Sequence, residues 1–242
     1  MRYKLYLTLD GTDEIPKDKN RLFLSLIKNC ICENDADFFN KLYVKNITKR
    51  KNFTYSLYMK NAVFLRDTIK IPEKKIVMNF STNNYMTGIQ FCNSMLKAIN
   101  RKYVYKGEIE MHVENIELVH EHIFTSDKTI FRTLSPIVIR EHNRETNRNW
   151  FHSISSEKGK ALFLENLKYQ ILESIPEAIP DIDKIDISVI RNKEVKVKHY
   201  GIEVNSNLCV FEMKAAPYIL NFCYQSGILA YASTGFGMLE VM

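Results

Sequence analysis

The chain is poor in the residues that loosen or break a backbone. Its 242 residues include 8 glycines and 6 prolines, which excludes a collagen-like or low-complexity chain. No apolar run approaches the ~20 residues that a membrane span needs. The opening Met1-Arg2-Tyr3-Lys4-Leu5-Tyr6 alternates in polarity and lacks the apolar stretch of a signal peptide. The five cysteines, Cys30, Cys32, Cys92, Cys209 and Cys223, are odd in number and scattered. Cys30-x-Cys32 has no second pair and His120-x-His122 has no matched ligands, so neither makes a metal template. These features predict reduced thiols, no metal, no cofactor, and a soluble cytoplasmic protein. There is no P-loop, no H-E-x-x-H, no nucleophile elbow and no usefully spaced carboxylate pair, which argues against ATPase, protease and hydrolase classes.

What is present is enough to build a real core, at 45% hydrophobic residues. Length allows one large domain or two of about 100–130 residues. The formal charge of +6 permits a polyanionic partner without requiring one. Tyr and Phe number 13 and 14 against a single Trp, a supply of rings for the core or for stacking on bases.

Tyr3, Leu5, Leu7 and Leu9 alternate as one face of a strand. Leu22, Phe23, Leu26, Ile27 and Cys30 follow at helical spacing, and a short helix fits Asp35–Tyr43. Strands fit Phe53–Met59 and Lys75–Phe80, a helix Asn84–Asn100, and one long or two short strands Tyr103–Glu121. A second series begins near Lys128. It comprises a strand Leu134–Arg140, a polar loop Asn143–Asn149, a helix Glu157–Ser174 and a strand Ile185–Ile190. A hairpin extension over Glu194–Val204 and Leu208–Met213, a helix Ala215–Tyr224 and a strand Gly235–Val241 complete it. Each series reads β-α-β-β-α-β, the ferredoxin-like unit. The expected fold is α+β, with two tandem ferredoxin-like (RRM-like) domains over 1–125 and 126–242. Such a fold does not dictate function.

The segment Gly227 to Val241, with Ser233-Thr234-Gly235-Phe236-Gly237 before a terminal strand, resembles the glycine-rich loop of the CRISPR-associated repeat-RNA endoribonucleases of the RAMP superfamily. Leu134-Ser135-Pro136-Ile137-Val138-Ile139-Arg140 is similar to that family's second-domain opening strand. Phe53-Thr54-Tyr55-Ser56-Leu57 resembles its Phe-Thr-Phe-Ser strand, and Asn166-Leu167 fits the helix that follows. The order and spacing of these motifs cover nearly the whole chain.

The resemblance implies metal-independent cleavage of a CRISPR precursor transcript within its repeat. The 2′-hydroxyl would attack its neighbouring phosphate and leave a 2′,3′-cyclic phosphate. It implies repeat RNA as partner and leaves room for other CRISPR effector proteins and for a homodimer. The alternative is a subunit that binds repeat RNA with weak or no cleavage; a generic RRM-type protein is disfavoured because no aromatic RNP1 match is present.

The family usually carries Leu-His near the end of the second helix; here the match is Leu42-Tyr43. The expected catalytic residues are therefore Tyr43, Lys49 and Lys51. A phenol is a poor base at neutral pH unless cations depress it; the other reading of Tyr43 is an aromatic packed at i+4 from Phe39. Residues 41–60 hold Lys41, Lys45, Lys49, Arg50, Lys51 and Lys60 and no acid, which suits phosphate contact or a solvated loop. Glycines at Gly235 and Gly237 could let amides converge on a phosphate, with Ser233 and Thr234 as donors and Tyr231 stacking on a base. Further RNA contacts are expected from Lys45 and Arg50, from Arg140, Arg144 and Arg148 around the polar loop, and from Lys196 and Lys198 on the hairpin. His142 or His152 could replace the missing histidine.

Overall fold

The computed structural model describes residues 1–46, 49–143 and 145–242. The first unit starts with β1 (Arg2–Asp10), a short β2 (Glu14–Pro16), α1 (Lys19–Asn34) and one turn of helix, α2 (Ala36–Phe39). Next come β3 (Phe53–Tyr58), the short β4 (Val63–Phe64) and β5 (Thr68–Lys70), β6 (Lys75–Thr82) and α3 (Tyr85–Ala98). The unit closes with β7 (Lys102–Tyr105) and β8 (Ile109–Val119). Its sheet runs β3-β6-β1-β8-β7, all antiparallel. Leaving out β7, this is the order of the ferredoxin-like unit. Tyr3, Leu5, Leu7 and Leu9 point into the core as their alternation requires.

The second unit contains β9 (Lys128–Thr133), β10 (Ile139–Asn143), β11 (Arg148–His152), α4 (Glu157–Ser174), β12 (Asp186–His199), β13 (Ile202–Lys214), α5 (Pro217–Ser226) and β14 (Leu239–Val241). Its sheet, β12-β13-β9-β14, repeats the same order. The fold is thus α+β with two ferredoxin-like units, and a core cluster lies in each. Among the described residues no helix is long and apolar enough to cross a membrane.

Two expectations need correction. The strand that opens the second sheet is Lys128–Thr133, not Leu134–Arg140. Pro136 has no N–H to give a ladder, and the chain around it leaves the sheet, touching it again only through the Ile137–Asn207 bridge. The polar segment Asn143–Asn149 is not a plain loop either, because its two ends belong to the β10–β11 hairpin, paired from Ile139–His152 to Asn143–Arg148.

The rings are mostly spent on the cores. Tyr55, Phe23, Phe53, Phe80, Phe91, Phe131, Phe163, Phe211 and Phe236 are all fully buried, each contributing roughly 1.5–3 kcal/mol of apolar burial. The two units are locked through polar contacts from first to second. Arg2, 4% exposed, donates to the carbonyls of Tyr224 (3.2 Å) and Leu239 (3.0 Å). Ser81 Oγ donates to the Gln225 carbonyl at 2.7 Å. Asn20 Nδ2 donates to the Gly235 carbonyl at 3.2 Å. These bonds fix α5, the loop after it and β14 of the second unit against β1, β6 and α1 of the first.

Candidate nucleic-acid interface

A cleft of about 680 Å³ opens where the two units meet. One wall is Lys49, Arg50 and Lys51, from the segment entering β3. A second is the α4 face bearing Glu165, Asn166, Tyr169, Gln170 and Glu173. The third is residues 229–234, flanked by Arg140 and His142 of β10. Of the residues expected to contact RNA, the structure brings Arg50, Arg140, Tyr231, Ser233 and Thr234 together here, with Lys49 and Lys51. Lys45, Arg148, Lys196 and Lys198 are exposed outside it, and Lys196 pairs with Glu203 at 3.4 Å. Arg144 lies outside the described residues.

The loop over Gly227 to Gly237 is shaped by its partners in α4 and the first unit. Gln170 Nε2 donates to the Gly227 carbonyl, and the Leu229 N–H donates back to Gln170 Oε1, both at 2.7 Å. Thr54 Oγ1 donates to the Phe236 carbonyl at 2.7 Å. Arg50 Nη2 donates to the Leu229 carbonyl at 3.0 Å. Leu229 and Tyr231 are both forced to positive φ, 65° and 64°, a conformation that costs a side-chain-bearing residue of order 1 kcal/mol.

The idea that Gly235 and Gly237 present amides to a phosphate is overturned. Both are buried. The Gly235 N–H donates to the Ala232 carbonyl at 3.1 Å and the Gly237 N–H to the Pro136 carbonyl at 2.9 Å. Their role is space and backbone shape. A Cβ on Gly235 would lie 2.7 Å from the Tyr55 ring, and one on Gly237 would collide with the Ile228 carbonyl. Tyr231 is equally occupied. Its ring meets the Arg140 guanidinium at 5.6 Å, His199 at 5.2 Å and Phe236 at 6.1 Å, so it braces the loop and is only partly exposed to the cleft.

Tyr43 sits in a π-helical turn, Asn40–Lys45, that extends α2; such widened turns recur at functional sites. Its hydroxyl is buried without a hydrogen-bond partner, and burial pushes its pKa up. Both observations work against Tyr43 as an acid or base acting on a phosphate. Its ring stacks at 5.3 Å on Phe39, as the packing alternative expected. The Lys28 ammonium lies 4.6 Å from the ring centre and the Lys51 ammonium 5.5 Å, in cation–π range. Burial lowers the pKa of Lys28. Burial and the like charge of Lys28 lower that of Lys51. Lys28 escapes sequence reasoning, since only the packing of α1 against the π-helical turn brings it here.

Burial takes Arg50 down to about 10, and its Nε has no hydrogen-bond partner. The nearby Glu173 carboxylate works the other way, favouring the charged form. His142 Nδ1 lies 2.9 Å from Asn149 Oδ1, and among the described residues its Nε2 makes no hydrogen bond. His152 instead pairs with Glu141 at 2.7 Å. Among the described residues no group of three or more His, Cys, Asp or Glu is arranged to hold a metal.

Residues 117–241, just over half the chain, match the family described as CRISPR associated protein Cas6, C-terminal. No curated protein matches the chain significantly. Among solved structures, a Cas6-related gene product of Pyrococcus furiosus superposes with a TM-score of 0.84 at 20% identity, over 100% of this chain and 98% of that one. A protein described as a RAMP protein binding different RNA substrates gives 0.81 at 22% identity, over 100% and 99%. A Cas6 product complex gives 0.72 at 14% identity, over the whole of both chains. At these identities the likeness is one of fold.

Proposed function

The chain belongs to the CRISPR-associated Cas6 family, and from that premise we propose that it binds CRISPR repeat RNA in the cleft between its two units and cuts it there. The observation that carries this reading is the convergence of Lys49, Arg50, Lys51 and Arg140 on one groove, a cationic track for the phosphates of an RNA strand.

In the reaction the 2′-oxygen bonds to the adjacent phosphorus and the bond to the 5′-oxygen breaks. The products are a 2′,3′-cyclic phosphate and a 5′-hydroxyl. One proton must leave the 2′-hydroxyl and one must reach the leaving oxygen. Lys51 is the group fitted to exchange them, because its ammonium is held below the ordinary lysine range by burial and by Lys28. Lys49 and Arg50 offset the charge that builds on the phosphorane. Tyr43 is a positioning residue, its ring holding the two ammoniums in place.

A second assignment of the base rests on His142, which lines the same cleft and, among the described residues, has no hydrogen bond at Nε2. The non-cutting alternative, a repeat-RNA-binding subunit, draws its support from Tyr43 standing where the family usually has histidine. The test is incubation of the purified protein with end-labelled repeat RNA in EDTA. Cleavage leaving a cyclic phosphate, lost in Lys51→Ala with RNA affinity largely kept, is the expected result. Loss in His142→Ala alone moves the base to His142. Tight binding with no cleavage selects the non-cutting subunit.

A further inference from the structure

The cleft has a feature that a phosphate track does not need. Two carboxylates, Glu165 and Glu173, line it from α4. Glu173 offsets the buried Arg50. Glu165 has no such partner, since among the described residues it makes no ion pair or hydrogen bond. Tyr169, one turn along, shares its helix face and is 65% exposed. Tyr231 opposite is already ringed by Arg140, His199 and Phe236. Tyr169 is therefore the more exposed of the two tyrosines that line the cleft.

A bare carboxylate beside a polyanion is repelled unless it meets hydrogen-bond donors. In single-stranded RNA those donors are the 2′-hydroxyls and the N–H groups of the bases, read on their Watson–Crick edges. Only guanine offers two adjacent N–H groups, N1–H and N2–H, on one edge. Adenine and cytosine place a ring-nitrogen acceptor beside their amino group, which would face a carboxylate lone pair. Uracil has one N–H between two carbonyls. The opposite wall supplies cations for the phosphate that follows, Lys49 and an Arg50 whose Nε is unpartnered.

Resting on the RNA-binding reading above, we propose that α4 forms a guanine-reading subsite: Tyr169 stacks on one unpaired base of the substrate and Glu165 accepts from its N1–H and N2–H.

The test uses the whole protein and nine-nucleotide probes, four uridines on each side of a central guanine, inosine, adenine, cytosine or uracil, with affinity read by fluorescence anisotropy. The wild type is expected to bind the guanine probe about tenfold more tightly than the adenine, cytosine and uracil probes. Inosine, which lacks N2–H, should fall between. Glu165→Gln is expected to shrink the guanine preference below twofold while binding of the uracil probe holds or rises, since a negative charge has left the groove. Tyr169→Leu should weaken every probe by a similar factor. Equal binding of all probes by the wild type, a preference for another base, or a guanine preference that survives Glu165→Gln would overturn the subsite and leave RNA binding standing. Failure to bind any probe, or repeat RNA itself, would overturn the RNA-binding reading as well. Glu165 and Tyr169 are exposed, so both variants are expected to fold.

Discussion

Gln170 and Leu229, 59 residues apart in sequence, meet at 2.7 Å, with the Leu229 N–H donating to Gln170 Oε1. Because Gln170 Nε2 also donates to the Gly227 carbonyl, one buried amide side chain spans the bend that carries the loop to the cleft. Gln170→Leu leaves the buried Leu229 N–H without a partner, at about 1–3 kcal/mol, and the Gly227 carbonyl with only the 3.2 Å bond from Ser226 Oγ, at a smaller cost. The expected outcome is a loss of about 2–4 kcal/mol in urea unfolding, with RNA affinity falling alongside it.

The Lys28–Lys51 relationship predicts a pH effect of known sign. The like charge of Lys28 helps to hold Lys51 down, so removing it raises the Lys51 pKa. In Lys28→Met, the limb of the cleavage pH–rate profile that reports Lys51 should move to higher pH. Lys51→Ala should remove that limb with most of the rate. An unmoved limb in Lys28→Met would assign it to another group.

Gly237 has φ at +69°, and a Cβ there meets the Ile228 carbonyl. Gly237→Ala is expected to cost more than about 2 kcal/mol, read as a drop in Tm. Gly107 has φ at +74° but nothing within 4 Å of a Cβ. Gly107→Ala should cost only about 1 kcal/mol, separating backbone strain from collision.

His199 is buried beneath Tyr200, Tyr231 and Phe236. Burial holds its pKa below the usual 6.5. The unfolded chain therefore takes up a proton that the folded one resists. Stability is present above about 6.5 and is lost as pH falls below it. His199→Phe should flatten that part of the stability–pH curve, measured by chemical denaturation from pH 8 to 5.

Lys49 and Arg140 are proposed to meet phosphates, and this fixes what their removal does. Lys49→Ala and Arg140→Ala should each weaken RNA of any sequence similarly and lower the slope of log affinity against log salt by about 0.7. A sequence-dependent loss would mean that the side chain reads a base instead.

Much of the fold is legible in the sequence because burial on one face imposes a period. Tyr3, Leu5, Leu7 and Leu9 betray a strand, and Phe163, Leu167 and Ile171 a helix. The opening strand of the second unit is missed because Ile137, Val138 and Ile139 form the more apolar run yet are buried in succession, which no strand face explains. Val138 belongs instead to a small cluster with Val197, Val204 and Phe236. For the site, the cations at 49–51 are legible as local charge. What becomes of a group is not. Nothing in the spacing of Gly235 and Gly237 says that their amides are spent on Ala232 and Pro136. Nothing along α4 says that Tyr169 is more exposed to the cleft than Tyr231.

The contact between Arg2 and Leu239 spans 237 positions of the chain, and this gives the protein a clock. At roughly 5–20 residues per second of synthesis, the guanidinium waits on the order of 12–50 s for its acceptor to emerge. During that interval the first unit can assemble its own sheet, but the wall contributed by residues 229–234 does not yet exist. A nascent chain thus carries its lysines without the groove that organises them, and the RNA engagement proposed above becomes available only once the loop has been made and has docked.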